Sequence, residues 1–288
     1  MRKMYKTRLL LAAAVIASVG AVSAGAARAA TPAAATAAPA RCTAPGRTPI
    51  TVVLVHGAWA DNSSWSGELS ELQRDGCPVR AADVAVHDLA ADATTVADFV
   101  RTIPGPVLLV GHSYGGAVIS NAAAEVPNVV GLVYIDAYEP AAGEEISNLG
   151  GATSALATHP ASQLFAQVPG APSGTENLLL SQNTYLRYFA SDLPRAQALT
   201  LWASQAVAGT GALDAPSQHA AWQTLPSWAF ISTGDQIITP QSLLAMAHRA
   251  HSHVTLFNGG SHLTLISHPA AVTAVIGKAL SSLLADGN

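Results

Sequence analysis

Residues 111–115 read Gly111-His112-Ser113-Tyr114-Gly115, a G-x-S-x-G pentapeptide. A serine hydroxyl is a poor nucleophile unless a base takes its proton. The pentapeptide alone is common, and its setting gives it weight. An apolar run at 106–110 leads in, and the small residues Gly116-Ala117-Val118 lead out. That is the strand–turn–helix context of a nucleophile elbow, which lifts the hydroxyl to the carboxyl end of a sheet. The flanking glycines allow the close approaches such a turn needs, with Ser113 itself expected in a strained conformation. His112 is expected to point away from the nucleophile.

In this architecture the partners follow in the order serine, acid, histidine. The best base is His262, in Asn258-Gly259-Gly260-Ser261-His262, a glycine-rich loop between the last strand and the last helix. The acid that orients it is assigned to Asp235, in Thr233-Gly234-Asp235, 27 residues before His262. Asp136, at the end of an earlier strand, is a second permitted acid, and Glu139 a third. Two backbone N–H groups must face the developing oxyanion. Tyr114, after the nucleophile, supplies one, and Ala58 in His56-Gly57-Ala58-Trp59 supplies the other. His56 is expected to bond backbone beneath that loop. His248, His251 and His253 crowd a helix end and a strand start with no neighbouring acid or cysteine to complete a metal site. No metal or organic cofactor is implied.

The apolar pattern outlines the elements that must position these residues. Residues 50–55 form a mostly β-branched run, as in a strand buried on both faces of a parallel sheet. A helix follows from Ser63 or Ser64 to Asp75, opened by a serine cap and closed by Gly76. Residues 78–83 read as a weaker strand, 93–102 as a helix and 107–110 as a buried strand. Then come a small-residue helix at 115–125 and a strand at 129–135. This alternation predicts an α/β, doubly wound, mostly parallel sheet. It breaks over 139–225, where no strand is evident and helical stretches at 178–190 and 194–207 lie between Gly, Pro and Ser clusters. It returns as a strand at 228–232, a helix at 239–250, a strand at 253–257 and a last helix from Pro269 to about Leu284. The expectation is one α/β domain over 49–288 with a helical cap inserted at about 139–225. Substrate preference would reside in that cap, whose apolar residues include Leu164, Phe165, Tyr185, Tyr188, Phe189 and Trp202.

Composition narrows the setting. The 288 residues are 50% hydrophobic and 11% charged, with a mean hydropathy of +0.30, which excludes a disordered chain. Residues 1–29 hold five basic residues and no acid, and their apolar run at 9–22 is short for a spanning helix. Ala27-Arg28-Ala29 fits an A-x-A cleavage site, so 1–29 reads as a secretory signal peptide. Secretion and the absence of a stable membrane anchor are expected. Residues 30–48 form an Ala/Pro/Thr-rich linker. Past residue 29 the chain keeps nine basic against 18 acidic residues, a net charge of about −9 that disfavours nucleic acid. Cys42 precedes the first strand and Cys77 the second. In an oxidising compartment they are expected to pair, since adjacent parallel strands bring their starts to one edge.

With these residues in view, the chain resembles the α/β-hydrolase superfamily. It is most similar to small bacterial esterases and to the plant methyl-esterase and hydroxynitrile-lyase group that share an HGAW-type loop. The resemblance rests on Val52–Val55 with His56–Trp59, the elbow Gly111–Gly116, Leu132–Ala137 and Gly260-Ser261-His262, and spans about 50–285. It implies a Ser113–His262–Asp235 triad, oxyanion donors at Ala58 and Tyr114, no cofactor, and a small-molecule ester as substrate. About six parallel strands are expected rather than the family's eight. A hydroxynitrile lyase is the rival activity, but it needs a lysine near the histidine. The one lysine past residue 29 is Lys278, in the last helix. A non-catalytic binding protein on the same fold is the alternative from another class.

Overall fold

The computed structural model describes residues 42–44 and 46–287. The expected signal peptide and most of the linker lie outside the described residues. In chain order the strands are β1 (Thr51–Val55), β2 (Val79–Ala82), β3 (Val107–His112), β4 (Val129–Ile135), β5 (Phe165–Val168), β6 (Asn177–Leu180), β7 (Ala208–Gly209), β8 (Ser227–Ser232) and β9 (His253–Phe257). Six of them form one parallel sheet in the order β2-β1-β3-β4-β8-β9. β1 and β3 are buried along their whole length, which explains their unbroken apolar runs.

The first crossovers are α1 (Ser66–Arg74), α2 (Leu89–Arg101) and α3 (Tyr114–Ala122). Each start has a local cause. Asp61, rather than a serine, caps the 3-10 turn Asn62–Trp65 that precedes α1, its carboxylate accepting from the Ser63 amide at 2.7 Å. Asp88 caps α2, and Thr239 caps the helix Pro240–Arg249. The last helix, Pro269–Ala285, opens on its proline.

Strand order decides where a site can form. From β1 the chain winds to β2 on one side, then returns to β3 and proceeds to β9 on the other. The switch point therefore lies between β1 and β3, where the following loops part and leave a crevice. The loop after β1 carries Gly57, Ala58 and Trp59, and the turn after β3 carries Ser113. At the opposite edge of the sheet, a Cys42–Cys77 disulfide with a Cα–Cα distance of 5.2 Å ties the approach to β1 to the approach to β2.

The stretch between β4 and β8 differs from expectation. It holds helices, including Arg195–Ser204 and a π-helical turn at Tyr185–Phe189, but also β5, β6 and β7 as a three-stranded antiparallel sheet. Residues 178–180 read as the start of a helix, yet Leu178 and Leu180 are buried while Asn177 and Leu179 are half-buried, the alternation of a strand. Four residues are too few for period two to be told from a helical turn without knowing the partner.

Candidate active site

The turn from β3 to α3 places Ser113 at φ 52°, a left-handed conformation that L-residues adopt only under constraint. Neighbours hold it there. Its amide donates to the Ile135 carbonyl at 3.3 Å, and its carbonyl accepts from Gly116 and Tyr138 at 3.0 and 3.2 Å. A Cβ on Gly111 would fall 2.5 Å from the Gly115 carbonyl oxygen, and one on Gly57 would fall 2.7 Å from the Ser113 Cβ. Both glycines are thus required by close approach of backbone to backbone or to the serine.

Ser113 Oγ lies 2.8 Å from His262 Nε2, and His262 Nδ1 lies 2.7 Å from Asp235 Oδ2. The other Asp235 oxygen accepts from the amides of Ile237 and Ile238 at 2.8 and 3.1 Å. Serine, histidine and aspartate are all buried. Burial pulls the His262 imidazole down to about 3, so it is neutral and able to accept a proton at Nε2. The same burial pushes the Asp235 carboxyl up, and the two amides pull against it. Three N–H donors around one carboxylate favour its charged form.

The other candidates settle into distinct places. Asp136, at φ 43° just past β4, accepts the Ser232 amide at 2.6 Å and lies 2.7 Å from the Ser232 hydroxyl, away from His262. Glu139 accepts from the Ser252 hydroxyl at 2.6 Å and is pushed up to about 8 by burial. His112 Nε2 must be protonated, because it donates to the His262 carbonyl at 2.8 Å. It therefore ties the elbow to the histidine loop, with its ring 4.9 Å from that of His262. His56 Nδ1 donates to the Gly57 carbonyl at 2.9 Å, and its Nε2 accepts from the Val84 amide.

A cavity of about 530 Å³ opens in front of Ser113 and is lined by Ala58 and Tyr114. Trp59, Phe165, Leu178 and Ile237 give it apolar walls. Trp59 stacks on Phe165 with centroids 5.8 Å apart and donates its indole N–H to the Leu178 carbonyl at 3.0 Å, joining the loop after β1 to the inserted sheet. Trp202 instead donates to the Leu180 carbonyl and does not line the cavity, and Trp65 is wholly buried core. The lining includes no lysine or arginine, and Lys278 is exposed on the last helix.

Phe189, one of the expected cap residues, packs its ring 5.1 Å from that of His262, a contact that sequence did not foresee. One contributor, Asp192, escaped the sequence altogether. It accepts from Ser261 and Ser267, on either side of His262. Neither carries a local motif, since each meets its partner about 70 residues away along the chain.

The family described as the alpha/beta hydrolase family matches residues 52–275. A carbendazim hydrolyzing esterase of a Nocardioides species is 32% identical over 110 residues, which is 34% of this chain and 46% of that protein. A pyrethroid hydrolase of Sphingobium wenxiniae is 32% identical over 108 residues, 33% of this chain and 39% of that protein. The match therefore spans less than half the length of these curated relatives. Among solved structures, an extracellular alpha/beta-hydrolase from a Paenibacillus species superposes with a TM-score of 0.66 at 22% identity, covering 80% of this chain and 99% of that one.

Proposed function

The chain belongs to the alpha/beta hydrolase family, and we propose that it is a secreted serine hydrolase that cleaves small carboxylic esters. The observation that carries this reading is the continuous relay from Ser113 Oγ through His262 to Asp235, with links of 2.8 and 2.7 Å. In it Ser113 attacks the ester carbonyl while His262 Nε2 takes its proton. Asp235 keeps the imidazole in the tautomer with hydrogen on Nδ1 and stabilises the imidazolium that forms. The tetrahedral oxyanion rests on the N–H groups of Ala58 and Tyr114. His262 then protonates the leaving alcohol, and water repeats the sequence on the acyl-serine. Neutral His262 is the form the first step requires.

Residues 49–288 form the hydrolase domain, and the insertion at about 139–225 covers the site. Apolar walls without a fixed cation suit an uncharged ester and give no purchase to a carboxylate. The same lack of a cation beside His262 speaks against the lyase. Export is supported by the basic-apolar-small N-terminus and by the Cys42–Cys77 bridge.

The test is a panel of p-nitrophenyl esters of graded acyl length, run on purified protein beside Ser113→Ala. Turnover is expected in the native protein and only residual catalysis in the variant. A fluorophosphonate should label Ser113 alone. A folded protein with neither turnover nor labelling would be a binding protein on this fold.

A further inference from the structure

We propose that Asp136 is a neutral carboxylic acid at pH 7 and heads a chain of hydrogen bonds that fixes the turn carrying His262. Its functional consequence rests on the reading of His262 as the base; its protonation does not.

Four oxygens stand in sequence. Asp136 Oδ2 is 2.7 Å from Ser232 Oγ, Ser232 Oγ is 2.7 Å from Thr264 Oγ1, and Thr264 Oγ1 is 2.5 Å from the Ser261 carbonyl oxygen. Each of these three short contacts needs a proton between its oxygens. The Ser232 and Thr264 hydroxyls supply one each, and the carbonyl supplies none. An ionised Asp136 would consume the Ser232 proton. Thr264 could then satisfy either Ser232 or the carbonyl, leaving two bare oxygens in contact. The third proton therefore belongs to Asp136. Every link then runs one way: Asp136 donates to Ser232, Ser232 to Thr264, and Thr264 to the carbonyl of Ser261.

The surroundings agree. Asp235 has three N–H donors, whereas the one amide donating to Asp136 is that of Ser232. Burial and the nearby Asp235 charge both push the Asp136 carboxyl well up. The chain joins the ends of β4 and β8 to the residues on both sides of His262. Gly260 leaves room for it, because a Cβ there would run into Thr264 Oγ1.

The experiment compares infrared spectra of the intact protein and Asp136→Asn at pH 7, with ¹³C-labelled aspartate. The native protein is expected to show the carbonyl band of a protonated carboxyl, shifted in D₂O and lost in Asp136→Asn. Asparagine keeps both the donor to Ser232 Oγ and the acceptor for the Ser232 amide, so it rescues what alanine loses. Asp136→Ala is expected to lower kcat on p-nitrophenyl esters by about 10- to 100-fold with little change in KM, through a displaced His262. An unchanged carboxyl band in Asp136→Asn overturns the proposal, as do equally damaged Asn and Ala variants. If Asp136→Ala does not fold, the infrared comparison still decides. The band without ester turnover would sink the esterase reading and leave the protonated Asp136 standing.

Discussion

Asp192, in the stretch between β4 and β8, accepts a hydrogen bond of 2.5 Å from the hydroxyl of Ser261, the residue before His262. Its second oxygen accepts from Ser267 at 2.6 Å. The insertion thus grips the histidine loop from one side while Thr264 and Ser232 hold it from the other. The insertion and the turn that carries His262 are joined directly by hydrogen bonds.

Asp192→Ala is therefore expected to lower kcat by about tenfold, because the base moves relative to Ser113. The loss of stability is expected to be about 1.5–3 kcal/mol, the range for a hydrogen bond to a charged group. Kinetics and urea denaturation on the same sample separate the two. An unchanged kcat beside a lower urea midpoint would make the contact structural only.

Asp235→Asn is expected to keep the fold and cost about 10⁴ in kcat, since the amide cannot hold the working tautomer of His262. The fluorophosphonate reaction of Ser113 should slow with it. Near-normal turnover in this variant would move the role of the acid to another carboxylate.

The disulfide closes a separation of 35 residues. In the chain-entropy account it contributes about 3–4 kcal/mol. Cys42→Ser with Cys77→Ser is expected to lower stability by that amount and leave relative rates across the ester panel unchanged. Alkylation of native protein before reduction should find no free thiol at either position.

Glu68 on α1 is wholly buried, neither of its carboxyl oxygens has a hydrogen-bond partner, and burial pushes it up to about 9. The folded state keeps this proton in a range where the unfolded chain, titrating near 4.5, has released it. Stability therefore falls as pH rises from the unfolded value and levels off beyond the folded one. Between pH 7 and 9 the urea midpoint of the native protein should drop, and Glu68→Gln should flatten that drop. Equal slopes would mean that Glu68 is already ionised at pH 7.

Much of the framework is legible in the sequence because it is encoded locally. Strand β4 can be read to the residue, since a parallel strand buried between helices is a continuous apolar run bounded by turn residues. The elbow can be read because glycines flank a single serine between such a run and a helix. The inserted strands cannot, because segments of two to four residues acquire their identity from the partner they meet.

The residue types of the site and their order along the chain follow from sequence by itself: Ser113, then a carboxylate, then His262. Which carboxylate meets the histidine is decided by tertiary structure. Asp136 and Asp235 both follow strands that end at the same edge of the sheet. β8 lies beside β9, so the short loops after those two strands bring Asp235 to 2.7 Å from His262. Asp136, one strand further away, turns instead to Ser232. Sequence spacing determines what a loop can carry, whereas sheet order determines what that loop can touch. A hydrogen bond forms only within about 3 Å, so it is the second that assigns the partners.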